Sequence, residues 1–371
     1  MRAVILGSGA AGLTAAERLR QYDGAMKITL VSWESGPPYA SPAMADYFRT
    51  RNEEVLFWKG RNVCKKLRLG RRSRVGVLSI RPDRHRVELN DRTCLPYDRL
   101  LIATGARLFV PVPGYHSGHV YNFNSLRPAS RLVRHIRETT NPHVVIVGGG
   151  FNGVVAALLL SDLGGKVTML EMTDRIMLRT LDEETSALVL ATLQRRGVTV
   201  RLETRAVRFH GRMRVDSVEL SSGERLRADV YVAATGVKPN VEFLEGSGIN
   251  LDWGIRVDDR LRTNAPDVFA AGDVAEAIDG TTGRTHLRGG FSRAVVQGEV
   301  AAGNMFGLDT TYQDVKGSNR LNHMCPLARL LGESSTVALT ENTLSFVLVR
   351  SIVRSLLELG HLTQKNKSRA L

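Results

Sequence analysis

Two glycine turns of the same kind, about 140 residues apart, constrain this chain more than anything else in it. The first follows Ala3-Val4-Ile5-Leu6, a short apolar run of strand character. It reads Gly7-Ser8-Gly9-Ala10-Ala11-Gly12 and leads into a helical pattern from Leu13 to Tyr22 and a second apolar run, Ile28-Thr29-Leu30-Val31. Each glycine has a task at such a junction. Gly7 makes the tight turn, Gly9 lets the backbone approach a pyrophosphate, and Gly12 lets the helix pack closely on the strand. The anion then sits at the positive end of the helix. Glu34 follows the second run, 22 residues after Gly12, where a carboxylate can accept from a ribose hydroxyl.

The pattern recurs. His143-Val144-Val145-Ile146-Val147 enters Gly148-Gly149-Gly150-Phe151-Asn152-Gly153, a helix to about Leu163, a strand from Lys166 to Leu170, and then Glu171. One such turn is weak evidence, but chance would have to place strand, glycines, helix and acid correctly twice. Two dinucleotides are implied. A carboxylate at Glu171 bonds a ribose 2′-hydroxyl and repels a 2′-phosphate, and Met172-Thr173-Asp174 supply no cation for one, so NADH is favoured over NADPH.

Between and after these units the chain is legible in outline. Prolines 37, 38 and 42 hold an extended loop before a helix from about Met44 to Arg51. Runs from Arg74 to Ile80 and Arg84 to Leu89, joined by Arg81-Pro82-Asp83, read as a β-meander, with Cys94 at its edge. Tyr97 to Gly105 reads as a buried strand ending in the small-residue turn Ala103-Thr104-Gly105, echoed by Ala233-Ala234-Thr235-Gly236. Pro111–Gly114 and Val237–Asn240 read as hinges, Arg127–Glu138 and Phe291–Met305 as helices, and Asp182-Glu183-Glu184 as an acidic helix start. Val268 to Val274 places Gly272 and Asp273 after a strand, where an acid can accept from a polyol hydroxyl.

At 371 residues there is room for two or three domains, and 43% hydrophobic with 24% charged residues is a globular composition. The net charge of +14 is scattered over arginines such as Arg68, Arg71, Arg72, Arg74, Arg195, Arg196 and Arg201. It fits a solvated basic surface, an acidic protein partner or an anionic membrane surface, and no nucleic-acid motif accompanies it. The three cysteines, Cys64, Cys94 and Cys325, are far apart in sequence, which favours a reducing, cytoplasmic compartment. No room for a signal peptide precedes the first strand, and no apolar stretch reaches the ~20 residues of a membrane span. The histidines, among them His85, His116, His135 and His143, show no metal spacing. Phe57 and Trp58 suit either a core role or cover for the face of a bound planar ring.

Taken in order, GSGAAG, LLIATGA, GGGFNG, VAATGVKPN and VFAAGDV resemble the FAD-dependent pyridine-nucleotide oxidoreductases of the glutathione-reductase-like fold, over about residues 1 to 306. Within that group the stretch ITLVSWESGPPYASPAMADYF looks most like the NADH-dependent reductases of rubredoxin, ferredoxin and nitrite-reductase type. The resemblance implies an α/β fold with two Rossmann-like domains. The FAD domain is discontinuous (1–113 and 241–307), the NAD domain is inserted (114–240), and 308–371 forms a shortened C-terminal segment with an amphipathic helix at Leu344 to Leu359. It implies FAD on Gly7, Gly9, Ala10, Ala11, Gly12, Glu34, Pro42, Ala103, Thr104, Gly105, Gly272 and Asp273. It implies NADH on Gly148, Gly150, Phe151, Asn152, Gly153, Glu171 and Gly236, with hydride passing from nicotinamide C4 to flavin N5.

Departures from the family pattern are equally specific. Pro42 stands where the disulfide-reducing branch has its redox cysteine, which leaves disulfide chemistry without a nucleophile. Val155 and Asp46 stand where many relatives carry a glutamate and a lysine beside the nicotinamide, and Ser41 replaces an arginine. The expected activity is electron transfer from NADH through FAD to an acidic iron-sulfur or rubredoxin-like protein. The alternatives are a peripheral NADH:quinone reductase and a flavin-binding sensor or assembly protein with weak turnover. A homodimer is possible.

Overall fold

A computed structural model describes residues 1–115, 120–278, 285–286 and 289–313. The chain begins with β1 (Arg2–Leu6), α1 (Ala10–Tyr22), β2 (Lys27–Ser32), α2 (Met44–Thr50), α3 (Val63–Lys66) and β3 (Gly70–Ser73). It continues through β4 (Val77–Arg81), β5 (Arg86–Leu89), β6 (Cys94–Pro96), β7 (Arg99–Ile102), β8 (Ala106–Leu108), β9 (Val120–Tyr121) and α4 (Leu126–Glu138). The second glycine turn lies between β10 (His143–Val147) and α5 (Phe151–Asp162). After it come β11 (Lys166–Leu170), α6 (Glu183–Arg195), β12 (Thr199–Arg201), β13 (Ala206–His210), β14 (Ser217–Leu220), β15 (Arg225–Arg227), β16 (Val230–Ala233) and β17 (Val237–Pro239). Last are β18 (Ile255–Arg256), β19 (Val268–Ala270), β20 (Ala275–Ile278), β21 (Thr285–His286) and α7 (Phe291–Phe306).

Two five-stranded parallel sheets organise these elements. The first has the order β19-β7-β1-β2-β3 and the second β12-β11-β10-β16-β9. Their inner strands read as nearly continuous apolar runs because helices or other layers cover both faces. Ile5, Leu6, Leu30, Leu100 and Leu101 are fully buried in one, and Val145, Ile146 and Val232 in the other. In each sheet the strand that enters the glycine turn is central, β1 between β2 and β7, β10 between β11 and β16. Chain direction therefore switches sides at the carboxyl ends of β1 and β10, and the crevice that opens there is where ligands bind in such sheets.

The first sheet takes strands from both ends of the described chain, since β19 pairs with β7 in parallel, Val268 opposite Leu100. The second uses only residues between Val120 and Ala233. Helix α7 returns to lie against α1 so closely that a Cβ at Gly298 would stand 2.4 Å from the Ala11 carbonyl oxygen. Helix α5 is buried from Gly153 to Leu160, whereas α4 buries Ala129, Leu132, Val133 and Ile136 on one face and leaves its arginines on the other.

The structure corrects the reading of residues 237–240 as a hinge. Val237–Pro239 pairs antiparallel with Ala106–Leu108, so the two crossings between the sheets form one ribbon. Asn240 closes it: its backbone N–H donates to the Gly105 oxygen at 3.0 Å, its side-chain amide donates to the Thr104 oxygen at 2.8 Å, and Thr104 Oγ1 donates to the Asn240 oxygen at 3.0 Å. Pro111–Gly114 is likewise tied down, with Phe209 N donating to the Pro113 oxygen at 2.8 Å. Turn-forming residues mark a break in a strand, but which distant segment pairs with it is not written locally.

Two smaller differences have similar causes. The strand expected from Arg74 begins at Val77, and β3, a polar edge strand of Gly70-Arg71-Arg72-Ser73, lacks the apolar alternation that would announce it. Asp182 does start a helix, accepting from Thr185 N at 2.9 Å. The expected Leu344–Leu359 helix, Cys325 and His116 lie outside the described residues. No helix among the described residues is long and apolar enough to cross a membrane.

The ribbon carries an ion pair in which Arg107 donates to both carboxylate oxygens of Glu242, with Lys238 Nζ 3.4 Å from the same carboxylate. The Arg107 hydrogen bonds hold Glu242 down to about 2, from an ordinary value near 4.5. A depressed carboxyl stabilises the fold fully above its unfolded value and loses that contribution as pH falls from there toward the folded value. Glu242→Gln is therefore expected to lower stability by less than ~1 kcal/mol, because the pair is solvent-screened. In urea titrations the gap to the parent should be constant above pH ~5 and close between ~4.5 and ~2. A gap that persists unchanged at the acid end would contradict this account.

Candidate dinucleotide sites

Both glycine turns are built by the same close contacts. Gly7 has φ +112°, and a Cβ there would lie 2.0 Å from the Ala103 oxygen; Gly148 has φ +110°, with the Ala234 oxygen at 2.4 Å. The third glycine of each turn is against the first: a Cβ at Gly12 would meet the Gly7 oxygen at 2.0 Å, and one at Gly153 the Gly148 oxygen at 2.0 Å. At the middle positions the situation reverses, since a Cβ on Gly9 or Gly150 would meet nothing within 4 Å. The first and third glycines are thus required by the fold, and the middle ones face open space.

That space is bounded by helix ends with free amide groups. Gly9, Gly150 and Gly290 are the N-caps of α1, α5 and α7, and none of these helices has a side-chain cap, in contrast to α6 with Asp182. Unsatisfied N–H groups at the positive end of a helix are a ready anion site.

The carboxyl end of the first sheet opens into a cleft of about 1120 Å³, above the ~300–1,000 Å³ usual for small-molecule sites. Gly7, Gly9, Ala10, Ala11, Glu34, Ala103, Thr104, Gly105, Gly272 and Asp273 all line it. Residues from four separate stretches of chain are therefore brought to one wall. Gly12 is not part of that wall and serves packing instead. Pro42 is also outside it and exposed; its neighbours Tyr39 and Ser41 form the wall there. Trp33, although 70% exposed, borders the cleft as well.

Asp273 accepts from Gly290 N at 3.0 Å, which leaves most of its lone-pair sites for another donor at the mouth of α7. Glu34 is mostly buried, and desolvation pushes its carboxyl up while a hydrogen bond from Tyr39 Oη at 3.1 Å pulls it back. The same Tyr39 hydroxyl accepts from Leu126 N at 2.9 Å, and burial first and Glu34 second drive its own pKa upward. One phenol thus links the loop after β2 to the start of α4. Sequence reasoning gave Tyr39 no role; a lone tyrosine among prolines carries no periodic signal.

The residues of the second turn stand apart from this cleft. Glu171 Oε2 accepts from Gly149 N at 2.6 Å, and Oε1 accepts from Thr173 N and Thr173 Oγ1, both at 2.9 Å. Three of about four acceptor sites are filled, the carboxylate is oriented, and one site is left for a hydroxyl. Asn152 donates to Asn124 Oδ1 at 3.1 Å; Asn124, with Asn122, Ser125 and Lys238, lies in the wall of the large cleft, so the Asn152–Asn124 bond joins the two regions. Gly236 accepts from Phe109 N at 3.0 Å in the connecting ribbon and touches neither turn in this way.

Val155 is buried in α5, and Asp46 lies in the first turn of α2, which packs on α5. Trp58 meets Phe291, a cleft residue, edge-on at 4.9 Å. Burial pushes the Cys64 thiol up against the pull of Arg71, and Cys94 is exposed. Among the described residues no group of His, Cys, Asp and Glu could hold a metal ion.

Comparison with known proteins agrees with this architecture. Residues 1–297 match the family described as pyridine nucleotide-disulphide oxidoreductase, and the chain belongs to it. Rhodocoxin reductase of Rhodococcus erythropolis is 33% identical over 320 residues, covering 85% of this chain and 74% of the relative. Rubredoxin-NAD(+) reductase of Pseudomonas putida is 30% identical over 328 residues, covering 85% of each. Among solved structures, the covalent putidaredoxin reductase–putidaredoxin complex matches with a TM-score of 0.78 and 25% identity, over 84% of this chain and 76% of that one.

The Tyr39 link makes a direct prediction. Tyr39→Phe leaves the Leu126 N–H and the Glu34 carboxylate each one partner short, at an expected cost of about 1–3 kcal/mol. Without the bond that opposes desolvation, Glu34 should titrate at higher pH. Chemical denaturation and carboxyl NMR titration report the two effects, and an unchanged protein by both would refute the link.

Proposed function

We propose that this chain is an FAD-dependent NADH oxidoreductase that passes electrons to a separate iron-sulfur or rubredoxin-like protein. The observation that carries the reading is the duplicated switch point: two parallel sheets, each with an uncapped helix N-terminus at its centre and an acid near it. In this reading residues 1–113 and 241–307 form the flavin-binding part and 114–240 the nicotinamide-binding part.

When bound, the reduced nicotinamide supplies two electrons as a hydride and the flavin can release them singly, which is the chemistry the protein itself lacks. The chain binds and orients. The α1 amides receive one pyrophosphate beside Gly9, and Glu34 accepts from the adjoining ribose. Asp273 accepts from a ribityl hydroxyl, and the α7 N-terminus lowers the energy of negative charge in the cleft. On the second sheet the α5 amides receive the other pyrophosphate beside Gly150, and the remaining acceptor site of Glu171 takes the ribose 2′-hydroxyl. Val155 offers no hydrogen bond, so positioning rests on packing and on the two nucleotide anchors.

The redox partner follows from charge and from kinship. The relatives' names pair them with rhodocoxin and rubredoxin, and the solved complex holds putidaredoxin. A net charge of +14 favours an acidic partner and speeds its encounter. A cytoplasmic setting suits such an exchange.

The purified protein should be yellow, and anaerobic NADH should bleach its band near ~450 nm faster than NADPH does. Glu171→Ala should erase that preference, chiefly by weakening NADH. Turnover with the protein acceptor should fall steeply with ionic strength. A yellow protein bleached by neither nucleotide would instead establish the flavin-binding sensor reading, for which Val155 and Asp46 would be the cause.

A further inference from the structure

A second cavity, of about 430 Å³, lies between α2 and α4 and shares no wall residue with the large cleft. Its volume is within the ~300–1,000 Å³ range of small-molecule sites. The floor is apolar, with Phe48 and Val133 buried, and Tyr47 stands beside Phe48 at 4.9 Å between ring centroids. The rim carries Arg51, Arg134 and Arg137 against a single acid, Glu138.

Several guanidinium groups elsewhere are held by acids. Arg49 and Arg196 share Asp162, Arg201 holds Glu224, and Arg107 holds Glu242. Among the described residues, by contrast, the side chains of Arg51 and Arg134 have no hydrogen-bond or ion-pair partner. Arg137 is fixed by a 2.6 Å bond to the Phe48 carbonyl oxygen, which aims it without neutralising it. Three like charges around an apolar floor repel one another, and an anion placed among them removes that cost. Guanidinium forks match the planar geometry of carboxylate and the oxygens of phosphate, and one anchored arginine reduces the ordering penalty of binding.

We infer that this cavity is a binding site for a small organic anion, a carboxylate or phosphate monoester carried on an apolar body. The charged head lies among Arg51, Arg134 and Arg137, with the Ser130 hydroxyl in the same wall, and the body lies on Phe48, Val133 and Tyr47. Glu138 offsets one of the three positive charges, which leaves a net positive rim for the ligand's head. The ligand bridges α2, which packs on the nicotinamide-side helix α5, to α4.

Isothermal titration of the flavin-loaded full chain with benzoate and with phenyl phosphate tests the site, with acetate and inorganic phosphate as head-only controls. One saturable site is expected, with each aromatic probe at least about tenfold tighter than its control. Arg134→Gln and Arg51→Gly should each weaken binding about tenfold or more, with flavin content and bleaching by NADH unchanged. Arg51 has φ 60°, a left-handed conformation that glycine adopts without strain, so Arg51→Gly should fold with an undiminished melting temperature. Absence of saturable binding, equal affinity for probes and controls, or binding indifferent to both substitutions would each overturn the inference.

Discussion

The structure depends on a contact with no side chain in it: the α-carbons of Gly12 and Gly153 pressed against the carbonyl groups of Gly7 and Gly148. That approach sets how closely α1 and α5 follow their strands, and so how squarely their free amides face the crevice at the switch point. Any Cβ at these positions would push the helix away by more than an ångström. The ends of α1, α5 and α7 carry no side-chain cap, and in the proposed function a capping side chain there would occupy the place of a bound anion.

A second constraint, on the proposed function, is that the two sheets must be held so that two bound nucleotides can meet. Three kinds of link do this. The β8–β17 ribbon is closed by Thr104 and Asn240, the Arg107–Glu242 pair reinforces it, and Tyr39 joins the Glu34 loop to the first residue of α4. Glu34 illustrates how these roles overlap. The burial that raises its pKa also places it in the cleft wall, and the tyrosine that restrains it ties the wall to the second half of the molecule.

Much of this was legible in the chain itself. The runs AVIL and HVVIV, their glycine turns and the acids Glu34 and Glu171 are local patterns, and local patterns report local structure. The helical patterns of α2, α4 and α7 match the structure to within one residue at their ends, and that of α6 at its start. The partial failures are of another kind. β3 is a polar edge strand paired to β2, and the supposed hinge at Val237 is a strand because Arg107 and its neighbours lie opposite.

By itself, then, the sequence determined the fold class, the two switch points and the acids near them, because steric demands on glycine and the periodicity of burial act between near neighbours in the chain. Only the tertiary structure decided which residues share a wall: Asp273 with Gly9, Glu34 with Tyr39 and Leu126, and three arginines around one apolar floor. Those groupings join segments tens to hundreds of residues apart, and their distances are fixed by the packing of whole elements rather than by any motif.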